Sequence, residues 1–223
     1  MITRELLGTA QVPGGEELTL YRHDRDFIIC LGRNELMSSR MSGSEIALAT
    51  QTCERISGVK RPHILIGGYG MGFTLRAALG ALGESARITV AELVPEIITW
   101  ARGPMHELAA GCLDDPRVDL AMADVADVIG HANGSYDAIL LDVDNGPDGL
   151  VRSENDRIYS DTGLRAAKAA LRRSGVLAVW SAAKDDRFAA RLRKAGFAVD
   201  EVGVRARTNG KGPMHTIWFA TKR

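Results

Sequence analysis

Ile64-Leu-Ile-Gly-Gly-Tyr-Gly-Met-Gly-Phe-Thr-Leu-Arg-Ala-Ala-Leu79 reads as an apolar strand, a glycine-rich turn and the opening of a helix. Glycines in such a turn let the backbone bend sharply and approach a ligand, because no Cβ stands in the way. Gly68, Gly70 and Gly72 follow a G-x-G-x-G spacing. A dinucleotide fingerprint would need glycine at position 73, where Phe73 stands, so a nicotinamide dinucleotide is the weaker choice of ligand. Downstream the pattern repeats as strand, turn and helix. Apolar runs at 63–67, 86–93, 117–123, 136–142 and 176–182 alternate with helical stretches, which predicts a parallel sheet with right-handed crossovers. After a further helix, the runs at 197–207 and 215–222 have only Thr208-Asn-Gly-Lys-Gly-Pro-Met214 between them, which predicts a terminal antiparallel hairpin.

Upstream of the turn the chain is organised differently. Glu17–Leu31 holds two β-rich runs around a charged turn, with extended chain continuing to about Arg40. Ser42-Gly-Ser-Glu45 fits a capping box, and Ile46, Ala49, Cys53 and Ile56 recur at helical spacing before Gly58. The expected organisation is a short N-terminal β-extension over 1–43 and a cofactor-binding α/β domain over 44–223.

Composition narrows the partners. The 223 residues carry 28 basic and 28 acidic side chains, so no whole-protein field draws in nucleic acid or an anionic membrane. Arg205, Arg207 and Lys211 form only a small basic cluster, read as a solvated turn. No apolar run reaches the length of a membrane span, the N-terminus has no signal-like apolar segment, and three scattered cysteines form no disulfide framework. A soluble cytoplasmic protein is expected. The five histidines show no paired metal-ligand spacing, so no metal is expected.

The candidate chemistry lies at strand ends. Glu92 closes the second strand of the repeat about 20 residues past Gly72, where nucleotide folds place a carboxylate on ribose hydroxyls. Asp124, followed by Val125, ends the next strand on the same ligand edge. Together these signals point to an adenosyl-type ligand. Residues 142–161 form a long connection with six acids against two bases, which suits either a cationic substrate or a solvated acidic loop.

The runs ILIGGYGMGFTLRAAL, VAELVPEII, DDPRVDLAMADVADVI and YDAILLDVDNGP, in this order and spacing, resemble the class I S-adenosylmethionine-dependent fold and, within it, the spermidine synthase (polyamine aminopropyltransferase) family. The resemblance covers roughly residues 60–182. It implies that Gly68, Tyr69, Gly70, Gly72 and Val125 contact the cofactor, Glu92 the ribose and Asp124 the adenine amino group. Tyr69 is equally well read as a packed aromatic in the turn. By the same resemblance Asp142 is the catalytic carboxylate, Asp144 and Asn145 face the substrate, and the protein is a homodimer. The implied reaction moves an aminopropyl group from decarboxylated S-adenosylmethionine to an amine. Such an amine is protonated near neutral pH and needs a carboxylate to deprotonate it, which is the part Asp142 would play. Met71 stands where the family has an Asp in the glycine turn, and Asp142-Val-Asp-Asn-Gly-Pro147 departs from the family's DSSDP. These departures leave open an S-adenosylmethionine-dependent methyltransferase acting on a small acceptor, or a binding protein that has lost its chemistry.

Overall fold

In chain order the elements are β1 (Glu5–Gln11), β2 (Glu17–His23), β3 (Asp26–Leu31), β4 (Asn34–Ser38), α1 (Gly43–Arg55), β5 (His63–Gly67), α2 (Phe73–Ala81), β6 (Arg87–Glu92), α3 (Pro95–Arg102), α4 (His106–Ala109), β7 (Val118–Met122), α5 (Val125–Gly130), β8 (Tyr136–Leu141), α6 (Asp156–Tyr159), α7 (Asp161–Ala170), β9 (Leu171–Ser181), α8 (Asp186–Lys194), β10 (Phe197–Arg205) and β11 (Met214–Lys222). This computed structural model describes residues 4–143 and 156–223.

Strands β5 to β11 form a seven-stranded sheet in the order β10-β11-β9-β8-β5-β6-β7. The β7-β6-β5-β8-β9 pairs are parallel, and the β11 pairs to β9 and β10 are antiparallel. The expected mostly parallel sheet and the terminal hairpin are both present. Every residue of β8, Tyr-Asp-Ala-Ile-Leu-Leu, is buried, as a strand covered on both faces requires. From β5 the chain lays β6 and β7 on one side and then returns to place β8 and β9 on the other. The reversal between β5 and β8 opens a crevice at the carboxyl ends of these strands, where open α/β sheets take their ligands.

The N-terminal region is larger than the expected hairpin. β1 to β4 form a four-stranded antiparallel meander. β1 carries little alternation and is half exposed, and it docks where Gly8 lets the chain lie against the Trp100 indole of α3. The strand expected over 176–182 starts earlier: α7 ends at Ala170, and Leu171–Gly175 joins β9 as extended chain, with Ser174 at φ 60°.

Some of the family-like residues serve the scaffold. Asp137 is buried and accepts the His63 N–H and an Arg172 N–H at 2.8 and 2.6 Å, tying β8 to the start of β5. The Asp115 carboxylate holds the Arg117 guanidinium, which donates to the Leu79 and Leu82 carbonyls and closes the end of α2.

Candidate active site

A cavity of about 270 Å³ lies over the carboxyl ends of β5, β6, β7 and β8. Gly68, Gly70, Glu92, Asp124, Val125 and Asp142 all line it, so the structure brings together most of the residues expected from the sequence. The turn is close to backbone on both sides. Gly68 sits at φ +84°, and a Cβ there would lie 2.7 Å from the Asp142 carbonyl oxygen. At Gly70, φ +55°, a Cβ would lie 2.7 Å from the Met37 methyl group.

Glu92 ends β6 buried, its two carboxylate oxygens accepting the Tyr69 N–H at 2.9 Å and the Val94 N–H at 2.8 Å. Burial pushes its carboxyl up from the ordinary range, and these N–H donors oppose the shift. One carboxylate thus pins the glycine turn to the neighbouring strand end, while each oxygen keeps a lone pair for a further donor. Asp124 caps α5 by accepting the Ala126 N–H at 2.8 Å.

Two of the expected contact residues do not line the cavity. Tyr69 turns its ring away from the cavity into the core, where its hydroxyl lies 3.4 Å from the Cys112 sulfur, so only its backbone N–H serves the site. Gly72 also stands off the cavity wall: it is the N-cap of α2 at φ +79°, and a Cβ there would strike the Tyr69 hydroxyl. Met71 is fully buried in the core. Asp144 and Asn145 lie outside the described residues.

The capping box is also corrected, and the correction reveals a site residue. Ser42 is the N-cap of α1 but makes no side-chain cap bond. Glu45 turns inward instead, 6% exposed, and lines the cavity. The Ser44 hydroxyl donates to Glu45 Oε2 at 2.7 Å and lies 2.9 Å from Nδ1 of His215, which is itself buried and stands edge-on to the Trp180 ring. On the other side the Thr74 hydroxyl donates to Asp142 Oδ2 at 2.6 Å. The buried face of α1 runs through Glu45, Leu48, Ala49, Thr52 and Cys53, so Glu45 continues the apolar stripe and Ile46 sits at its margin. A charged residue in phase with a buried stripe was the available signal; the capping-box reading absorbed it.

Glu45 and Asp142 form a carboxylate pair. Burial, and then the charge of Asp142, push Glu45 up to about 8. Burial pushes Asp142 up to about 6, against the opposing Thr74 hydrogen bond. The pair therefore holds a proton near neutral pH, mainly on Glu45. Burial pushes His215 down, which keeps it neutral there.

A pH dependence of stability follows. The folded pKa of Glu45 is raised, so above its ordinary value the native state holds a proton that the unfolded state has lost. Stability from this group therefore falls as pH rises and levels off beyond about 8. His215, with a lowered folded pKa, acts in the opposite direction below its ordinary 6.5. Between these limits, the melting temperature of the ligand-free protein should fall relative to that of Glu45→Gln as pH rises. Parallel melting curves for the two proteins would remove the buried proton from Glu45.

The N-terminal sheet supplies the opposite wall, an assignment the sequence did not give. Val12, Leu18, Ile29, Leu36, Met37 and Met41 face the crevice across from the glycine turn. Five carboxylates line the cavity, Glu35, Glu45, Glu92, Asp124 and Asp142, and no lysine or arginine is among its described lining residues. Among the described residues no group of three His, Cys, Asp or Glu side chains could hold a metal ion, and no helix is long and apolar enough to cross a membrane.

No protein-family model matches the chain. In sequence it is 30% identical over 115 residues to a polyamine aminopropyltransferase of Sulfolobus acidocaldarius, an alignment covering 52% of this chain and 37% of that protein. It is 30% identical over 156 residues to one of Mycobacterium tuberculosis, covering 66% and 29%. In structure it superposes on a spermidine synthase crystallised with the transition-state analogue AdoDATO with a TM-score of 0.74 at 20% identity, covering 98% of this chain and 72% of that one. The spermidine synthase of Thermotoga maritima gives the same score at 18% identity, covering 98% and 73%. The chain is spermidine synthase-like. Its seven-stranded sheet is class I methyltransferase-like. The sequence matches span about a third or less of those curated relatives' own length. Within this spermidine synthase-like frame, Glu92, Asp124 and Asp142 stand at three successive strand ends around one crevice.

Proposed function

We propose that the protein transfers an aminopropyl group from decarboxylated S-adenosylmethionine to an amine, with Asp142 as the base. The observation that carries this reading is the charge of the cavity wall: five carboxylates and no described lysine or arginine. Both reactants suit it, one as a sulfonium and the other as an ammonium. S-Adenosylmethionine would bring its own carboxylate into a wall with no cationic side chain among its described residues to pair with it, and such burial is costly. The decarboxylated form carries no such group, which favours aminopropyl over methyl transfer. The names of the sequence relatives support the same choice.

When bound, the decarboxylated cofactor supplies a methylene carbon beside a sulfonium; the amine nitrogen forms a bond to that carbon, the C–S bond breaks, and its electron pair leaves on the sulfur of neutral 5′-methylthioadenosine. Glu92 and Asp124 hold the nucleoside from two strand ends. Asp142, fixed by Thr74, accepts the proton that the ammonium loses before attack. The apolar wall from the N-terminal sheet excludes water and aligns amine, carbon and sulfur.

Calorimetric titration of protein freed of carried-over ligand tests the cofactor choice. The decarboxylated form should bind at least about tenfold more tightly, about 1.4 kcal/mol. Tighter binding of S-adenosylmethionine would favour methyl transfer instead.

A further inference from the structure

Resting on the reading of an amine acceptor, we propose that Glu45 is the second carboxylate of the acceptor site and that Glu45 and Asp142 together clamp the ammonium of a primary amine. The two side chains come from unrelated elements, the first turn of α1 and the end of β8, yet line one cavity. Each is held from behind by a hydroxyl: Ser44 donates to Glu45, and Thr74 donates to Asp142. The placement of α1 is itself constrained. The Gly43 N–H donates to the Ala206 carbonyl at 2.8 Å, and a Cβ on Gly43 would lie 2.7 Å from the Arg207 carbonyl carbon. That contact sets the first turn of the helix against the β10–β11 connection and turns Glu45, 6% exposed, toward the cavity.

The groups facing the pair define its electrostatics. His215 reaches it from β11 through Ser44, and Glu35 lines the same cavity from β4, where its only cationic partner among the described residues is Arg4 at 4.0 Å. Two buried carboxylates with no cation beside them among the described residues share a proton rather than both ionising. An arriving ammonium supplies the missing positive charge, ionises both, and donates two of its three N–H groups, one to each carboxylate. The shared proton leaves to solvent on binding, and Asp142 is then ionised and ready to take a proton from the amine. The chain Glu45–Ser44–His215 fixes the rotamer of Glu45 and gives that proton a hydrogen-bonded neighbour.

Titration of 1,4-diaminobutane into the protein saturated with 5′-methylthioadenosine tests this, run at pH 7 in buffers of different ionisation enthalpy. The wild-type protein should bind the diamine with release of a proton to the buffer. Glu45→Gln keeps the size and the Ser44 contact, and should bind it at least tenfold more weakly with no proton release; Glu45→Asp should restore part of both. Melting curves with 5′-methylthioadenosine show that each variant retains the nucleoside site. Equal diamine binding by wild type and Glu45→Gln would overturn the proposal, as would no binding by wild type. So would a loss confined to decarboxylated S-adenosylmethionine, which would place Glu45 on the donor. Transfer activity is read separately: diamine binding that depends on Glu45, without product, would sink aminopropyl transfer and leave the clamp standing.

Discussion

Asp142→Asn should lower turnover by roughly 10²- to 10⁴-fold, the range a general base contributes, while 5′-methylthioadenosine affinity stays within a few-fold of wild type. The substitution is nearly isosteric, and its side-chain oxygen can still accept the Thr74 hydroxyl that Asp142 Oδ2 accepts at 2.6 Å. What is lost is the capacity to take a proton. Geometry, cavity shape and the proposed nucleoside contacts at Glu92 and Asp124 should be retained, so binding and chemistry separate. Raising the pH should not rescue the variant below the range where the free amine itself is abundant, near its own pKa of about 10. Full activity in Asp142→Asn would take Asp142 out of the mechanism. A loss confined to amine KM would reduce it to a binding group.

Glu92→Ala should weaken 5′-methylthioadenosine binding by about 1–3 kcal/mol, roughly fivefold to 150-fold, and should also lower the melting temperature. Both effects follow from one carboxylate with two duties. In the folded protein it accepts the Tyr69 and Val94 N–H groups, which become orphaned buried donors once the side chain is gone. On the proposed reading its remaining lone pairs are those offered to the ribose hydroxyls. Glu92→Gln is no mild substitute, because its amide NH₂ would have to face one of the two backbone donors. Unchanged affinity in Glu92→Ala would place the ribose elsewhere in the cavity.

The parts of the fold carried by regular patterns could be read from the sequence. His63–Gly67 is the same strand in both readings, and β6, β7 and β8 differ from the expectation by a residue or two at their ends. Such strands are continuous apolar runs bounded by turns, and burial on both faces makes that pattern strong. β1 escaped because Glu-Leu-Leu-Gly-Thr-Ala-Gln is small, half exposed and shows little alternation. The early start of β9 escaped because Arg172, Arg173 and Ser174 are exposed and continue a helical-looking composition.

The same division runs through the site. Gly68, Glu92, Asp124 and Asp142 follow strand ends, so the repeat predicts their common edge before any side chain is placed. Glu45, His215 and the Met37 wall come from segments on either side of that repeat. Their meeting depends on how α1 docks on the β10–β11 connection and on how the N-terminal sheet folds over the crevice. Long-range docking of this kind leaves no local periodicity. Tyr69 shows the converse: it sits within the best motif of the chain, yet the left-handed Gly68, Gly70 and Gly72 around it turn its ring into the core.

The most direct test of the central claim is product analysis by mass spectrometry after incubating the protein with decarboxylated S-adenosylmethionine and a panel of diamines. A parallel set is given S-adenosylmethionine. The account predicts 5′-methylthioadenosine and a diamine enlarged by one aminopropyl group in the first set, with no methylated diamine in the second. Methylated acceptor with S-adenosylhomocysteine, and no aminopropylated product, would contradict it.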